Sequence, residues 1–383
     1  ENNCIISRRG DVTGAFSAIL PEIFTLSDKE YEDFHNTWAK AIKVLPNYTV
    51  FHKQDFFYER RYKADLTGTN FLSLSSERHF DRRPYMDHKC YMMITLRANT
   101  QKLETSSSSS LFRKSLSPER VGNPQKLQDF MDSVSQFNRI LSDSSFIKID
   151  QIKDDSLVGS KQTTGLLERY CFLTDEQSPL IRDIQFDEEW KIGDQYVQMF
   201  SLGDVEHLPA LVGSRMNYDR YSSDKTKYSI GFAAPLGLLL QCNHVYNQFI
   251  FIGDVQKTIK ELEAKRLRLQ SLATYSRENA ISRDFTNDFL NEAIQNQRLP
   301  IKAHFNVMLW TSDKAVLKEN RTLVSSALAQ MDAVAKQETF GAPQLFWAGL
   351  PGNEGDCPAN DMFDTFAEQA SCFFNVESNY RSV

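Results

Sequence analysis

Apolar residues change their spacing several times along this chain of 383 residues, and that alternation points away from a purely helical or purely β architecture. Residues 4–7 and 12–20 read as strands separated by the turn dipeptide Gly10-Asp11. From Ser27 the period lengthens. Ser27 and Glu30 form a capping box, and Tyr31, Phe34, Trp38, Ala41, Ile42 and Leu45 line one face of a helix that Pro46 stops. Strand-type runs return at 48–58 and 90–96, around a short helical piece near 71–80. Helices packed on one face of a sheet bury such a mixture most cheaply.

Residues 106–110 are an unbroken serine run, and Ser115, Ser117, Pro118, Gly122 and Pro124 follow without helix or strand period. The segment 106–123 is therefore expected to link an N-terminal α+β lobe, 1–105, to a second α+β lobe, 124–383. A helix restarts with Asn123 as N-cap and Pro124 in its first turn. Beyond it, 147–152, 196–202 and 228–233 read as strands and 165–172 as helix, while 236–242 and 245–252 flank Asn243-His244 as a tight hairpin. Asp254 opens a long helical region, 254–297, expected to break near 276–282. Residues 301–375 read as a βαβα unit, with strands at 303–310 and 344–350, a helix at 314–335 and a last helix through Met362, Phe366 and Phe373. The expected class is α+β: two mixed lobes of helices on mainly antiparallel sheets, with a C-terminal βαβα unit.

Lys and Arg number 44 against 50 Asp and Glu, a net charge of −6, which argues against a chain whose main task is to coat nucleic acid. Hydrophobic residues at 41% and charged residues at 25% describe a globular chain. The six cysteines are scattered without a C-x-x-C pair, as in reduced, buried thiols. No window is long and apolar enough to span a bilayer and residues 1–25 lack a secretory pattern, so a soluble, cytoplasmic chain is expected. No Gly-Lys dipeptide exists to build a phosphate loop, and G-x-G-x-x-G, G-x-S-x-G and H-E-x-x-H are absent. Asp187-Glu188-Glu189 follows an alternating run, unlike the apolar strand of a Walker B motif. Cys242 and His244 share one face of an extended segment and, with His304, outline the beginnings of a metal site, but histidines satisfied inside turns and sheets are the commoner arrangement and no metal is assigned.

Two basic stretches stand out: Arg78, Arg82 and Arg83 with His79 and Phe80, and Lys260, Lys265, Arg266 and Arg268 on the long helical region. Charge mixed with aromatics suits single-stranded DNA, yet Asp81, Asp87, Glu261 and Glu263 interleave as on a solvated face. Pro351, Gly352, Asn353, Gly355 and Asp356 form the densest turn chemistry, placed after an expected strand where ligands and neighbouring subunits bind open sheets.

Several blocks together carry a family resemblance. Lys40-Ala41-Ile42-Lys43-Val44-Leu45-Pro46, His52-Lys53-Gln54-Asp55, Glu77-Arg78-His79-Phe80, Ala303-His304-Phe305-Asn306-Val307-Met308, Leu350-Pro351-Gly352-Asn353 and Glu377-Ser378-Asn379-Tyr380-Arg381-Ser382 resemble the N-terminal region of the TraG conjugation ATPases of conjugative transposons. These are among the large ATPases that energise type IV secretion. The resemblance covers nearly the whole chain. It implies a fragment whose motor domain, with its Walker motifs, ATP and Mg, lies after Val383, and it carries no ATP-binding or catalytic residue onto these positions. It implies instead a non-catalytic docking and assembly module, peripheral at the inner membrane through channel components of the conjugation apparatus, in contact with its own motor domain and with neighbouring subunits of a hexamer. Pro351, Gly352, Asn353, Gly355, Asp356, Asn379, Tyr380 and Arg381 are the expected interdomain or subunit contacts. Arg78, Arg82, Arg83, Lys265, Arg266 and Arg268 are the expected contacts to DNA or a partner, with a single-stranded DNA-binding module as the alternative role.

Overall fold

The computed structural model describes residues 3–7, 9–67, 70–98, 124–174, 181–187, 189–334 and 336–379. The N-terminal part contributes β1 (Cys4–Ile6), β2 (Val12–Ile19), α1 (Asp28–Lys43), β3 (Thr49–Arg61), α2 (Phe71–Phe80) and β4 (Pro84–Leu96). Next come α3 (Pro124–Asp143), β5 (Lys148–Gln151), α4 (Asp154–Val158), α5 (Leu166–Phe172), β6 (Ile184–Phe186), β7 (Trp190–Ile192), β8 (Gln195–Leu202), β9 (Arg215–Asn217) and β10 (Ser229–Gly231). The remainder is β11 (His244–Phe251), α6 (Val255–Leu272), α7 (Arg277–Gln295), β12 (Pro300–Thr311), α8 (Lys314–Gln330), β13 (Lys336–Gln337), α9 (Ala342–Ala348), β14 (Phe363–Phe366) and α10 (Ala367–Ala370).

Among the described residues, one 12-stranded sheet runs in the order β1-β2-β4-β3-β11-β12-β8-β7-β6, with β5 on β2, β14 on β12 and β13 on β8. Its pairs are antiparallel, as the α+β reading requires. The two expected lobes are not separate sheets: β3 from the first region pairs with β11 from the second, Val50 opposite Phe251 through Phe57 opposite His244. The segment 106–123 lies outside the described residues.

Helices cover both faces of this sheet, where one covered face was expected. On one face Phe34, Trp38 and Ile42 of α1, Phe130, Val134 and Phe137 of α3 and Val324 of α8 join Phe51, Tyr246 and Phe305 in a single core. On the other, Tyr170 of α5 and Leu345 and Phe346 of α9 pack with Phe56, Val245, Phe249 and Met308. Every residue of β11 is consequently buried, and so are the first ten of β3.

Local chemistry explains most helix ends. Ser27 accepts from the Glu30 amide at 3.4 Å while the Glu30 carboxylate takes the Ser27 amide at 2.7 Å, the reciprocal cap expected at α1. The helical region after Asp254 breaks at residues 273–276, just before the expected 276–282, because Ser276 caps α7 and 277–282 continue as helix. Other expectations reverse. Residues 236–242 form turns, so the hairpin around Asn243-His244 has one strand only, because that segment's hydrogen bonds close on nearby carbonyls such as Ala233 and Gly237. In the expected βαβα unit, 344–350 is the helix α9, started by Pro343 in its first turn, and the last helix is replaced by β14 and the short α10. A short apolar run has no period of its own, and the packing of Leu345 and Phe346 under the sheet decides it.

Candidate functional site

The middle of the sheet is polar and buried. His52, Lys53, Gln54 and Asp55 on β3 are fully buried, and they alternate between the two faces. On the α1 side, Lys53 Nζ pairs with one oxygen of Asp55, and His88 Nε2 on β4 reaches the other at 2.8 Å. Gln248 donates to the Asp55 carboxylate at 2.6 Å, and Asn375 donates to it at 3.3 Å. Burial opposes the charge on Asp55, but the Lys53 ammonium and the His88 hydrogen bond outweigh it and hold the carboxyl below the usual carboxylate range. Phe57 is sandwiched between the rings of His88 and His244, each centroid 4.5 Å away.

On the opposite face, Gln54, Asn247, Asn306 and Ser201 sit directly across from one another on β3, β11, β12 and β8. Gln54 donates to Asn247 Oδ1 at 2.7 Å and to the Gly349 carbonyl at 3.0 Å, and Asn247 donates to Asn306 Oδ1 at 2.8 Å. This row receives the turn after α9. Glu354, fully buried, accepts from the Gly352 amide at 3.0 Å and from Thr95 Oγ1 of β4 at 2.8 Å, with His52 Nδ1 at 3.8 Å. Gly352 has φ +93°, and a Cβ there would lie 2.6 Å from Ile5 Cγ2. Asp356 pairs with Arg9 at 3.4 Å.

The loop expected to contact a domain or subunit is thus folded onto this chain's own first strands. Pro351, Gly352, Gly355 and Asp356 are buried and Asn353 is partly so, which leaves the turn little surface for another polypeptide. Asn379 donates to the Met86 carbonyl, and Tyr380 and Arg381 lie outside the described residues. The tail leading to Asn379 is itself built in. Glu377 is buried, accepting from Tyr31 Oη and from the Gly231 amide at 2.7 Å, and burial, resisted by those bonds, lifts its carboxyl to about 7.

The basic stretches go elsewhere. Arg78, Arg82 and Arg83 are exposed at the free end of the β3–β4 ribbon, which extends from Phe57 and His88, level with the start of β11, to Arg61 and Pro84. Lys265, Arg266 and Arg268 lie on α6, which with α7 forms a two-helix arm leaving β11 at Phe251 and returning through β12. Because β3 and β11 are antiparallel, these projections stand at opposite ends of the sheet and do not form one cationic track.

The metal-like grouping resolves into separate structural roles. His244 faces the carbonyls of Cys242 at 2.7 Å and Gly237 at 3.1 Å, while His304 Nδ1 faces the Asp361 carbonyl at 2.6 Å. Burial pushes both rings down to about 4. Among the described residues no three side chains of metal-ligating type converge. Nor is any described helix long and apolar enough to cross a membrane. The residues that sequence reasoning missed are the partners across strands, Gln248, Asn375 and Glu354. Their only early signal was the polar block His52–Asp55 inside an otherwise apolar strand.

Two comparisons bear on identity. Residues 237–355 match the family model described as CagE, TrbE, VirB family, component of type IV transporter system. Residues 1–36 match a domain of unknown function described from a B. theta gene. No curated protein matches the chain. The first match takes in β11, the arm, β12 and the turn as far as Gly355, and the second takes in β2 and β1, whose Ile5 faces Gly352 of that turn.

Proposed function

We propose that this chain, a type IV transport system component carrying a segment of the CagE, TrbE, VirB family, is a docking and assembly module that works through protein contacts. In this reading it leaves ATP and Mg chemistry to the motor domain of its parent. It sits peripherally on the cytoplasmic side of the inner membrane, held by channel components and by neighbouring subunits of a hexamer.

The observation that carries the reading is the α6–α7 arm. Helix α6 buries none of its residues, and Leu267, Leu272, Tyr275, Ile281 and Phe285 are exposed along the arm. Large apolar side chains held on a preformed helical pair are suited to laying a helix face into a partner's groove. The test uses the parent protein with Leu267→Asp and Phe285→Asp together. Circular dichroism should be unchanged, and co-purification with the inner-membrane channel components should be lost. Undiminished co-purification would remove the reading.

A second reading, contact with single-stranded DNA, is favoured by one observation: α6 sets Lys257, Lys260, Lys265, Arg266 and Arg268 against only Glu261 and Glu263. A salt-dependent affinity for single-stranded DNA, lost in Lys265→Glu with Arg268→Glu, would put this reading first.

A further inference from the structure

The free end of the β3–β4 ribbon inverts the usual order of burial. Helix α2 buries none of its residues, and Phe71, Leu72 and Leu66 are 80%, 73% and 55% exposed. The tip is nonetheless a formed structure. Backbone bonds join Tyr62 to Arg83 at 2.9 Å and Arg82 to Tyr62 at 2.8 Å, closing the ribbon beneath it.

The acids and bases of the tip have different jobs. Glu77 accepts from Tyr62 Oη at 2.9 Å and from the Asp65 amide at 2.9 Å, Asp65 accepts from the Thr67 hydroxyl at 2.6 Å, and Asp81 accepts from the Ala64 amide at 3.3 Å. The carboxylates therefore tie the loop together. The cations face solvent: Arg78, Arg82 and Arg83 are exposed, Arg82 lies 3.8 Å from Asp81, Arg83 Nη2 meets His79 Nδ1 at 3.3 Å, and among the described residues no ion pair holds Lys63 or Arg78. Arg83 lies over the Phe80 ring, 5.4 Å from its centroid.

Large apolar side chains exposed beside exposed cations on one ribbon tip match the two things a bilayer surface offers, hydrocarbon and phosphate. Leu66 and Leu72 fit acyl chains and give a nucleobase no ring, while Phe71 suits either, so single-stranded DNA is the competing outcome of the test. We propose that the β3–β4 tip is a membrane-contacting wedge: Phe71, Leu72 and Leu66 enter the headgroup region of a bilayer bearing anionic lipid, and Lys63, Arg78, Arg82 and Arg83 meet the headgroup phosphates. With no membrane-crossing helix among the described residues, the contact is peripheral and reversible.

The test is vesicle flotation of the full chain. It should float with vesicles of mixed phosphatidylglycerol and phosphatidylcholine and stay at the bottom of the gradient with phosphatidylcholine alone. Arg78→Ala and Arg83→Ala should each weaken partitioning about fivefold. Phe71→Ser with Leu72→Ser should abolish flotation even at low salt, which simple electrostatic adsorption would not show. Absence of flotation with the anionic vesicles would overturn the proposal, as would flotation indifferent to Phe71 and Leu72. So would a tip that binds single-stranded DNA, lost in the same arginine variants, without binding vesicles.

Discussion

One antiparallel ribbon, β3 with β4, holds both extremes of this molecule. At its middle Lys53, Asp55 and His88 are shut away between layers of helices, each with a partner; at its end Phe71 and Leu72 stand in solvent above carboxylates that fold the loop. Residue polarity did not decide which went where. Burial was decided by what lies over each face: α1, α3, α5 and α9 cover the middle and nothing among the described residues covers the end. Charge is tolerated inside because four groups converge on the Asp55 carboxylate, and leaving any of them alone in that environment is expensive.

The strongest way to break this contrast is Asp55→Ala. It strands Lys53 and His88 in the core, and urea unfolding should show a loss of about 3–5 kcal/mol. A loss no larger than that of a surface substitution would mean the middle is not the anchored region described here.

The acid in the tail sharpens the same point through pH. Burial lifts the Glu377 carboxyl to about 7 from an ordinary 4.5, so the folded chain binds this proton more tightly than the unfolded chain. The resulting stabilisation is complete below about 4.5 and is lost as pH rises through about 7. Measured against Glu377→Gln in denaturant titrations, the stability of the native chain should fall by about 3 kcal/mol across that interval. A rise over the same range would refute the assignment.

Gly352→Ala comes next. A positive φ and a contact with Ile5 should together cost about 1–3 kcal/mol, and Ile5→Ala in the same chain should recover the contact share alone. A double-mutant cycle reads the difference. At the small end, Phe71→Ser should shift the unfolding midpoint by no more than about 0.5 kcal/mol of stability, since the side chain touches little. A larger loss would show the tip to be packed.

Much of this was readable from residue order. The capping box at Ser27 and the helix at 71–80 depend on neighbours within a few positions and stand where local chemistry puts them, and the interruption expected near 276–282 falls a few residues earlier, at 273–276. The row Gln54, Asn247, Asn306 and Ser201 could not be read, because a strand buried on both faces loses the in-out alternation that reveals register, and its partners come from distant segments. The reversal at 344–350 has the same origin: Leu345, Phe346 and Trp347 fit a strand or a helix until Tyr170 packs on Phe346 and accepts it as helix.

The two-helix arm enters and leaves through β11 and β12, strands joined to each other over eight facing residues from His244–Leu309 to Phe251–Lys302. A pull at Tyr275 would travel down both helices and arrive at the same edge of that pair. Both strands would be drawn the same way along their length, so the bonds that carry the load are those from β11 to β3 and from β12 to β8, strained together in shear instead of parted one after another. The arm is therefore a handle on the centre of the sheet, and a force on it meets the rows of bonds flanking β11 and β12 all at once.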